Sequence, residues 1–286
     1  MLRLALGLVL FAGAASALIW TAGSRAIARF PVTELAVPAD FPAEELRLAA
    51  PGEPDLAGWL REGSQECGPV MLLHGRGATK LQLLGRARLL SASGFPVALF
   101  DLSGHGQSGG ETMGFGYAEA ADVARIVAAL EERFPDRPMG AIGLSLGAAA
   151  LVFAAEDRGV DAYVLEQLFS TLRDTAAARL PFGGIQADLM LAQMPLRLGY
   201  GAADVRPVDR IGGLGAPVLM LAATQDPFVG REQTEALFQA AGGEKDLVWF
   251  EVRGHIDLQR HDPERYAGAV VPFLTRHLCS PAQSAD

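Results

Sequence analysis

Short apolar runs alternate with longer stretches of helical periodicity over most of this sequence, and this alternation constrains the fold more than any other feature. Each apolar run is about four to seven residues long, as expected of strands buried on both faces. Such a chain folds as an α/β protein, with a mostly parallel central sheet and helices on both faces. The predicted strands are 70–73, 96–102, 139–144, 162–166, 217–222 and 247–252, and the predicted helices are 81–92, 117–134, 148–155, 234–241 and 263–277.

The length of the chain suits one domain with an N-terminal extension. Half of the 286 residues are hydrophobic, which is enough for a single domain of about 200–250 residues with a substantial core. We place the α/β domain at residues 65–280, after a segment at 1–29 and a linker with early strands at 30–64. Residues 172–214 separate two predicted strands by more than a simple crossover needs. They are either a small lid-like insertion or a segment that only covers the sheet.

The segment at residues 4–22 is uncharged and lies between Arg3 and Arg25. As a helix it would span about 28 Å, close to the thickness of a bilayer core. We favour an uncleaved membrane anchor through these residues. The alternative is a signal peptide cleaved after the small residues 15–17, followed by export. Basic residues flank both ends of the segment, so the side of the membrane is left open.

Charge and cysteine content exclude several classes of protein. The formal net charge of −9 argues against a nucleic-acid partner, because such proteins normally carry a clustered basic face. Cys67 and Cys279 match no metal-ligand spacing, and we predict neither a metal nor a cofactor. Two buried thiols are favoured over a disulfide between them, because cysteine packs readily as a small hydrophobic residue.

A Gly-x-Ser-x-Gly motif at residues 143–147 supplies the candidate nucleophile, Ser145. A predicted strand precedes it and a predicted helix follows it, which is the strand–turn–helix context of a nucleophile elbow. A second match at residues 106–110, around Ser108, has no helix directly after it. The same loop also reads Gly-x-Gly-x-x-Gly at residues 104–109, but it lacks the helix and the later acidic residue of a dinucleotide site.

A serine hydroxyl becomes a strong nucleophile only beside a base that a third group orients. His255 is the preferred base, because it follows the last predicted strand by three residues. Four other histidines are less suited by position. His74 and His105 precede the serine in glycine-rich loops. His261 begins the approach to a helix, and His277 lies near the end of the last helix.

Asp226 is the preferred acid, because it follows the end of the buried strand 217–222. Asp204 and Asp209 have no strand before them that would aim their carboxylates. A carboxylate in the position of Asp226 also suits the N-cap of the following helix. The chain order serine, aspartate, histidine favours the catalytic interpretation.

Acyl transfer also needs donors for the negative charge that develops on the carbonyl oxygen. We predict that the backbone N–H groups of Leu146, directly after the nucleophile, and of Arg76, in the loop after the strand 70–73, form this oxyanion hole.

Taken together, these motifs resemble the α/β-hydrolase superfamily over about residues 65–278. The stretch 164–170 and the N-terminal apolar segment are similar to the membrane-anchored, serine-peptidase-like branch. The resemblance implies the α/β-hydrolase fold, with Ser145, Asp226 and His255 as triad and the amides of Arg76 and Leu146 as oxyanion hole. There are two departures from the common pattern, Ala148 after the elbow and Gly230 in place of a proline after the acid.

The predicted activity is hydrolysis of an ester or thioester through an acyl-enzyme. Apolar residues in the predicted lid suggest a small-molecule substrate with an apolar acyl or alcohol group. Two alternatives stay open. One is a peptidase or amidase of the same fold, and the other is a non-catalytic scaffold, because a fold alone does not guarantee activity.

Overall fold

A computed structural model describes residues 2–32, 34–64, 66–154 and 159–280. Its centre is one eight-stranded sheet in the order β1-β2-β4-β3-β5-β6-β7-β8. β2 pairs antiparallel with β1 and β4, and the pairs from β4 through β8 are all parallel. The strands are β1 (Glu44–Leu48), β2 (Leu56–Arg61), β3 (Val70–Leu73), β4 (Val97–Phe100), β5 (Gly140–Leu144), β6 (Ala162–Glu166), β7 (Val218–Gln225) and β8 (Lys245–Arg253).

Helices cover both faces of the sheet, so the predicted α/β class is confirmed. Buried residues form two clusters, one on each face. The predicted last residue of the helix 148–155 lies outside the described residues. The helices are α1 (Leu2–Ile27), α2 (Leu84–Ala92), α3 (Ala120–Arg133), α4 (Leu146–Phe153), α5 (Leu172–Arg179), α6 (Gly183–Leu191), α7 (Met194–Leu198), α8 (Arg231–Ala240), α9 (Leu258–His261) and α10 (Pro263–Leu278).

Helix α3 shows how local sequence positions these elements. Val123, Val127 and Leu130 recur on one face and are buried, as the helical period requires. The helix begins three residues later than its periodicity predicts. The cause is Glu119, whose carboxylate accepts the backbone N–H groups of Gly114 (2.6 Å) and Gly116 (2.7 Å) and holds the preceding residues in a turn.

Helix α1 corrects the prediction of a membrane anchor. Among the residues that the structure describes, no helix combines the length and the apolar character needed to cross a bilayer. The C-terminal end of α1 instead makes protein contacts. Ile27 is buried in the core, and Arg197 donates a hydrogen bond to Ser24 (2.6 Å) while its guanidinium lies 4.6 Å from the Trp20 ring centroid. The predicted membrane localisation through residues 4–22 is therefore wrong.

Cys67 and Cys279 form a disulfide bond, so the preference for two buried thiols is also wrong. The backbones of the two residues meet in an antiparallel bridge, and Gly68 N–H donates to the Leu278 carbonyl beside it (2.8 Å). This pairing brings the end of α10 against the loop before β3. Sequence alone could not show it, because 212 residues separate the two cysteines.

Candidate active site

Ser145 occupies the sharp turn between β5 and α4. Its φ of 51° and ψ of −99° are strained for a residue with a side chain. Its N–H donates to the Glu166 carbonyl (2.8 Å). The flanking glycines permit the turn, because a Cβ would lie 2.5 Å from Ala148 N at Gly143 and 2.4 Å from the Leu73 carbonyl oxygen at Gly147. The turn has the geometry of a nucleophile elbow and presents a half-buried hydroxyl.

His255 and Asp226 form the shortest polar contact of the site. His255 Nδ1 lies 2.6 Å from Asp226 Oδ2. The other carboxylate oxygen, Oδ1, accepts the N–H groups of Phe228 (2.8 Å) and Val229 (3.1 Å). Burial alone would raise the pKa of Asp226, but the hydrogen bond to His255, its charge and the two amides outweigh burial and hold the pKa below its ordinary value. Asp226 is therefore suited to stay ionised and to fix the imidazole in one orientation.

The structure brings Ser145 and the His255–Asp226 pair to the same edge of the sheet. β5, β7 and β8 are parallel, and these residues follow their carboxyl ends. Among the described residues, the Ser145 hydroxyl makes no hydrogen bond with the His255 ring. In free enzymes such contacts are often long and tighten only when substrate binds.

Two backbone amides near Ser145 suit an oxyanion hole. Within the described part of the chain, the N–H groups of Arg76 and Leu146 donate to no protein acceptor, while the neighbouring Gly75 N–H donates to Gln82 Oε1 (2.8 Å) and Gly147 N–H to the His74 carbonyl (3.1 Å). Leu146 is the first residue of α4, so its free N–H lies at the positive end of the helix.

A mostly apolar cavity of about 230 Å³ opens beside the nucleophile. Its walls come from the elbow, from α1, from the loop after β3 and from helices α5 and α6 of the segment 172–214. No acidic residue lines this cavity among the described residues. The lining residues are Ala26, Arg76, Phe115, Ser145, Leu146, Phe169, Leu172, Thr175, Ala176, Arg179, Leu180, Met190 and Leu191.

Two of the rival site residues have structural roles in the loops. Ser108 is buried, donates to the Asp101 carbonyl (2.6 Å) and accepts the Ala57 N–H (2.9 Å). His74 Nε2 accepts the Leu102 N–H (3.0 Å), which leaves this ring no lone pair for use as a base.

Three other rivals lie at the surface. His261 is exposed at the end of α9, Asp204 accepts the Gly201 N–H (2.8 Å), and Asp209 pairs with Arg206.

Sequence reasoning missed a second layer of polar residues behind the site. Gln167 is buried with a φ of 47°, and its Nε2 donates to Asp226 Oδ2 (3.1 Å). Arg86 and Glu166 are fully buried and joined by two hydrogen bonds of 2.8 and 2.6 Å. Glu166 ends β6, so a polar residue at the carboxyl end of a buried strand was the signal that could have singled it out. No comparable signal marks Arg86.

Comparisons with known proteins agree with the fold. Residues 64–167 match the model of the serine aminopeptidase family S33. An uncharacterized protein of Bacillus subtilis is 29% identical over 219 residues, covering 72% of this chain and 70% of its own. An uncharacterized protein of Mycobacterium tuberculosis is 29% identical over 222 residues, covering 77% and 75%.

Among solved structures, an esterase of Pyrococcus furiosus superposes with a TM-score of 0.74 at 20% identity, covering 88% of this chain and 98% of its own. The protein therefore has the α/β-hydrolase fold. The membrane-anchored branch of that superfamily, which the sequence resembles, is not shown by these matches.

Proposed function

We propose that this protein is a serine hydrolase that cleaves an ester or thioester through Ser145, His255 and Asp226. The observation that carries the proposal is the strained Ser145 turn, which presents its hydroxyl to an apolar cavity. The His255–Asp226 pair at the same edge supports it. His255 packs edge-on against Phe228 with ring centroids 6.0 Å apart, and Phe228 in turn contacts Arg179 of the cavity wall.

In the proposed reaction His255 Nε2 takes the proton of Ser145 as Oγ attacks the carbonyl carbon. The N–H groups of Arg76 and Leu146 stabilise the oxyanion, and one such donor is typically worth about 3–4 kcal/mol of barrier. When the tetrahedral intermediate collapses, the bond to the alcohol or thiol breaks and His255 returns the proton to that leaving group. Water, deprotonated by His255, then attacks the acyl-enzyme and releases the acid and the free serine.

The cavity supports an apolar acyl group as the part of the substrate that enters. Its inner wall includes Phe169, Leu172 and Leu191, all buried, and Met190 adds a flexible side chain that can adapt to different shapes. In this proposal residues 172–214 act as the lid that covers the acyl group. A likeness in fold to a Pyrococcus furiosus esterase is consistent with ester chemistry but does not by itself carry it.

Aminopeptidase activity is less well supported by the same cavity. A substrate with a free amino terminus carries a positive charge, and such sites usually provide a carboxylate for it. Here the charged side chains at the described cavity wall are Arg76 and Arg179, which would repel that amine.

The test is labelling with a fluorophosphonate probe, which modifies only activated serines. Wild type and Ser64→Ala, an exposed serine outside the site, are expected to label, and Ser145→Ala is expected not to. A series of p-nitrophenyl esters of increasing chain length, with matched p-nitroanilides, would then separate esterase from amidase activity. A folded wild type that neither labels nor turns over any of these substrates would overturn the proposal in favour of a non-catalytic scaffold.

A further inference from the structure

Two arginine side chains share a cavity with the nucleophile, and the hydrolysis proposed above gives neither guanidinium a role. Arg76 and Arg179 both line the cavity of Ser145. They come from two different elements, since Arg76 lies in the loop after β3 and Arg179 ends α5. This concentration of positive charge occurs in a protein whose formal net charge is −9.

The guanidinium of Arg76 is held in place without a carboxylate. Its Nη2 donates to the Ala26 carbonyl of α1 (2.9 Å), and the group lies 5.2 Å from the centroid of the Phe30 ring. Both contacts fix the direction of the side chain and leave most of its five N–H donors unused.

The guanidinium of Arg179 is held in a similar way. Its Nη1 donates to Thr175 Oγ1 (2.7 Å), and the group lies 4.0 Å from the centroid of the Phe228 ring. Stacking on an aromatic face orients an arginine guanidinium and leaves its in-plane N–H groups free to bind an anion.

No carboxylate neutralises either group by a direct ion pair within the described residues. Burial lowers the pKa of both arginines, and the charge of Arg76 lowers the pKa of Arg179 further. Asp226 attracts Arg179 from a distance, but its oxygens already bind His255, Gln167 and two backbone amides. Two like charges at one cavity cost free energy, which a bound anion would recover.

We infer that the Arg76 and Arg179 guanidiniums bind an anionic group, a carboxylate or a phosphate, on the alcohol or thiol side of the substrate. This inference rests on the proposed function, because it assigns the two sides of the scissile bond. The inner cavity is apolar and takes the acyl group, whereas both arginine side chains are partly exposed to solvent at the cavity wall, and we assign the leaving group to that solvent-exposed side. The protein would then hydrolyse amphiphilic esters with a charged leaving group in preference to neutral ones.

The test compares matched substrates: the butanoyl ester of 4-hydroxybenzoate, its neutral methyl-ester analogue, and the butanoyl ester of 4-hydroxybenzylphosphonate. The quantity measured is the ratio of kcat/KM for the anionic over the neutral ester. Arg179→Met is expected to lower this ratio about tenfold or more, the effect of losing one charge-assisted hydrogen bond. Arg179→Lys is expected to restore part of it, and the loss should appear mainly in KM.

Arg173→Met is the matched control. Arg173 lies on the same helix, is 52% exposed and pairs with Asp188 away from the cavity, so its loss should leave the ratio unchanged. Added salt should lower the ratio in wild type and have less effect in Arg179→Met. The two anionic substrates distinguish a carboxylate site from a phosphate site.

Equal ratios in wild type and Arg179→Met would overturn the inference while leaving the serine hydrolase intact. If no ester is turned over and Ser145 does not label, the proposed function fails, and direct binding decides the anion site separately. Hexyl phosphate and hexanoate would be titrated calorimetrically into Ser145→Ala and into Ser145→Ala/Arg179→Met. Binding weakened about tenfold by the second substitution would support the site, and absence of binding to both proteins would overturn it.

Discussion

Arg86 and Glu166 are joined by two hydrogen bonds of 2.8 and 2.6 Å, although 80 residues separate them in the sequence. The backbone carbonyl of the same Glu166 accepts the N–H of Ser145. Arg86 Nη2 also lies 3.0 Å from Asp257 Oδ1, two residues after His255. This ion-pair network therefore connects the nucleophile elbow to the loop that carries the proposed base.

Loss of one partner in this network should destabilise the fold strongly. Arg86→Met leaves the Glu166 carboxylate buried, with the Tyr266 hydroxyl as its one remaining donor among the described residues. We expect a loss of about 3–5 kcal/mol in unfolding free energy. Arg86→Met/Glu166→Gln should lose less, because no uncompensated charge remains. Denaturant unfolding measures both. Arg88→Ala breaks an exposed pair with Asp40 and should cost less than about 1 kcal/mol; a cost for Arg86→Met no larger than this would contradict the prediction.

The contact between His255 and Asp226 predicts a kinetic effect. In Asp226→Asn the amide can donate to Nδ1 and so favours the wrong imidazole tautomer. We expect kcat on a p-nitrophenyl ester to fall about 10³- to 10⁴-fold, as in serine proteases, with the protein still folded. Asp209→Asn, which removes a surface partner of Arg206, should leave kcat unchanged. A loss of less than about tenfold in Asp226→Asn would remove Asp226 from the triad.

The Cys67–Cys279 disulfide predicts a dependence of stability on redox conditions. It closes a loop across 212 residues, and loss of such a bond typically costs about 2–5 kcal/mol. Thermal unfolding of the wild type should shift to lower temperature with dithiothreitol. The variant Cys67→Ala/Cys279→Ala should already unfold at the lower temperature and should not respond to the reductant. A reductant-independent wild type would show that the bond does not form or does not stabilise the protein.

Much of the fold followed from the sequence because its central strands β3, β4, β5 and β6 are buried over their whole length. Strands β3 and β6 have the predicted bounds, and every residue in both strands is buried. β7 extends to Gln225, beyond its predicted end, because Ala223 and Gln225 continue to pair with β8 outside the apolar run. The positions of Ser145, Asp226 and His255 at one edge follow from the same parallel arrangement.

The rest depended on contacts between distant residues, which periodicity does not encode. The segment at 4–22 has the composition of a membrane span, yet the end of α1 packs through Ser24 and Trp20 against Arg197. Arg86 is charged, and charged residues normally lie at the surface, but it is fully buried against Glu166. A charged residue is stable in the core only when it is paired, and the neighbouring sequence does not identify its partner.

His105 predicts how stability responds to acid. The ring is fully buried, and it stacks on Phe30 with centroids 4.8 Å apart. Its Nδ1 lies 3.0 Å from the Ser103 carbonyl, while its Nε2 is buried and has no hydrogen-bond partner among the described residues. Burial, followed by the charge of the neighbouring His74, lowers the pKa of His105 from 6.5 to about 4. A proton on Nε2 would thus be a buried charge with no acceptor.

The direction of the pH effect follows from this lowered pKa. Between pH 6.5 and about 4 the unfolded chain binds a proton at His105 that the folded protein does not. The contribution of His105 to the unfolding free energy is therefore present above that range and is lost as the pH falls through it. This difference in pKa between the unfolded and the folded protein corresponds to about 3 kcal/mol of unfolding free energy. His105→Phe retains the stacking and removes the titrating nitrogen, so its unfolding free energy should fall less than that of the wild type over this range.

Denaturant unfolding at closely spaced pH values measures this difference. Loss of the hydrogen bond to Ser103 should lower the stability of His105→Phe by a similar amount at every pH. The informative quantity is therefore the slope of the unfolding free energy against pH. His261→Asn, at an exposed position, serves as the control and should leave this slope unchanged. If His105→Phe and wild type lose the same free energy between about pH 7 and pH 4, the acid sensitivity arises from other groups and His105 is not kept neutral by its burial.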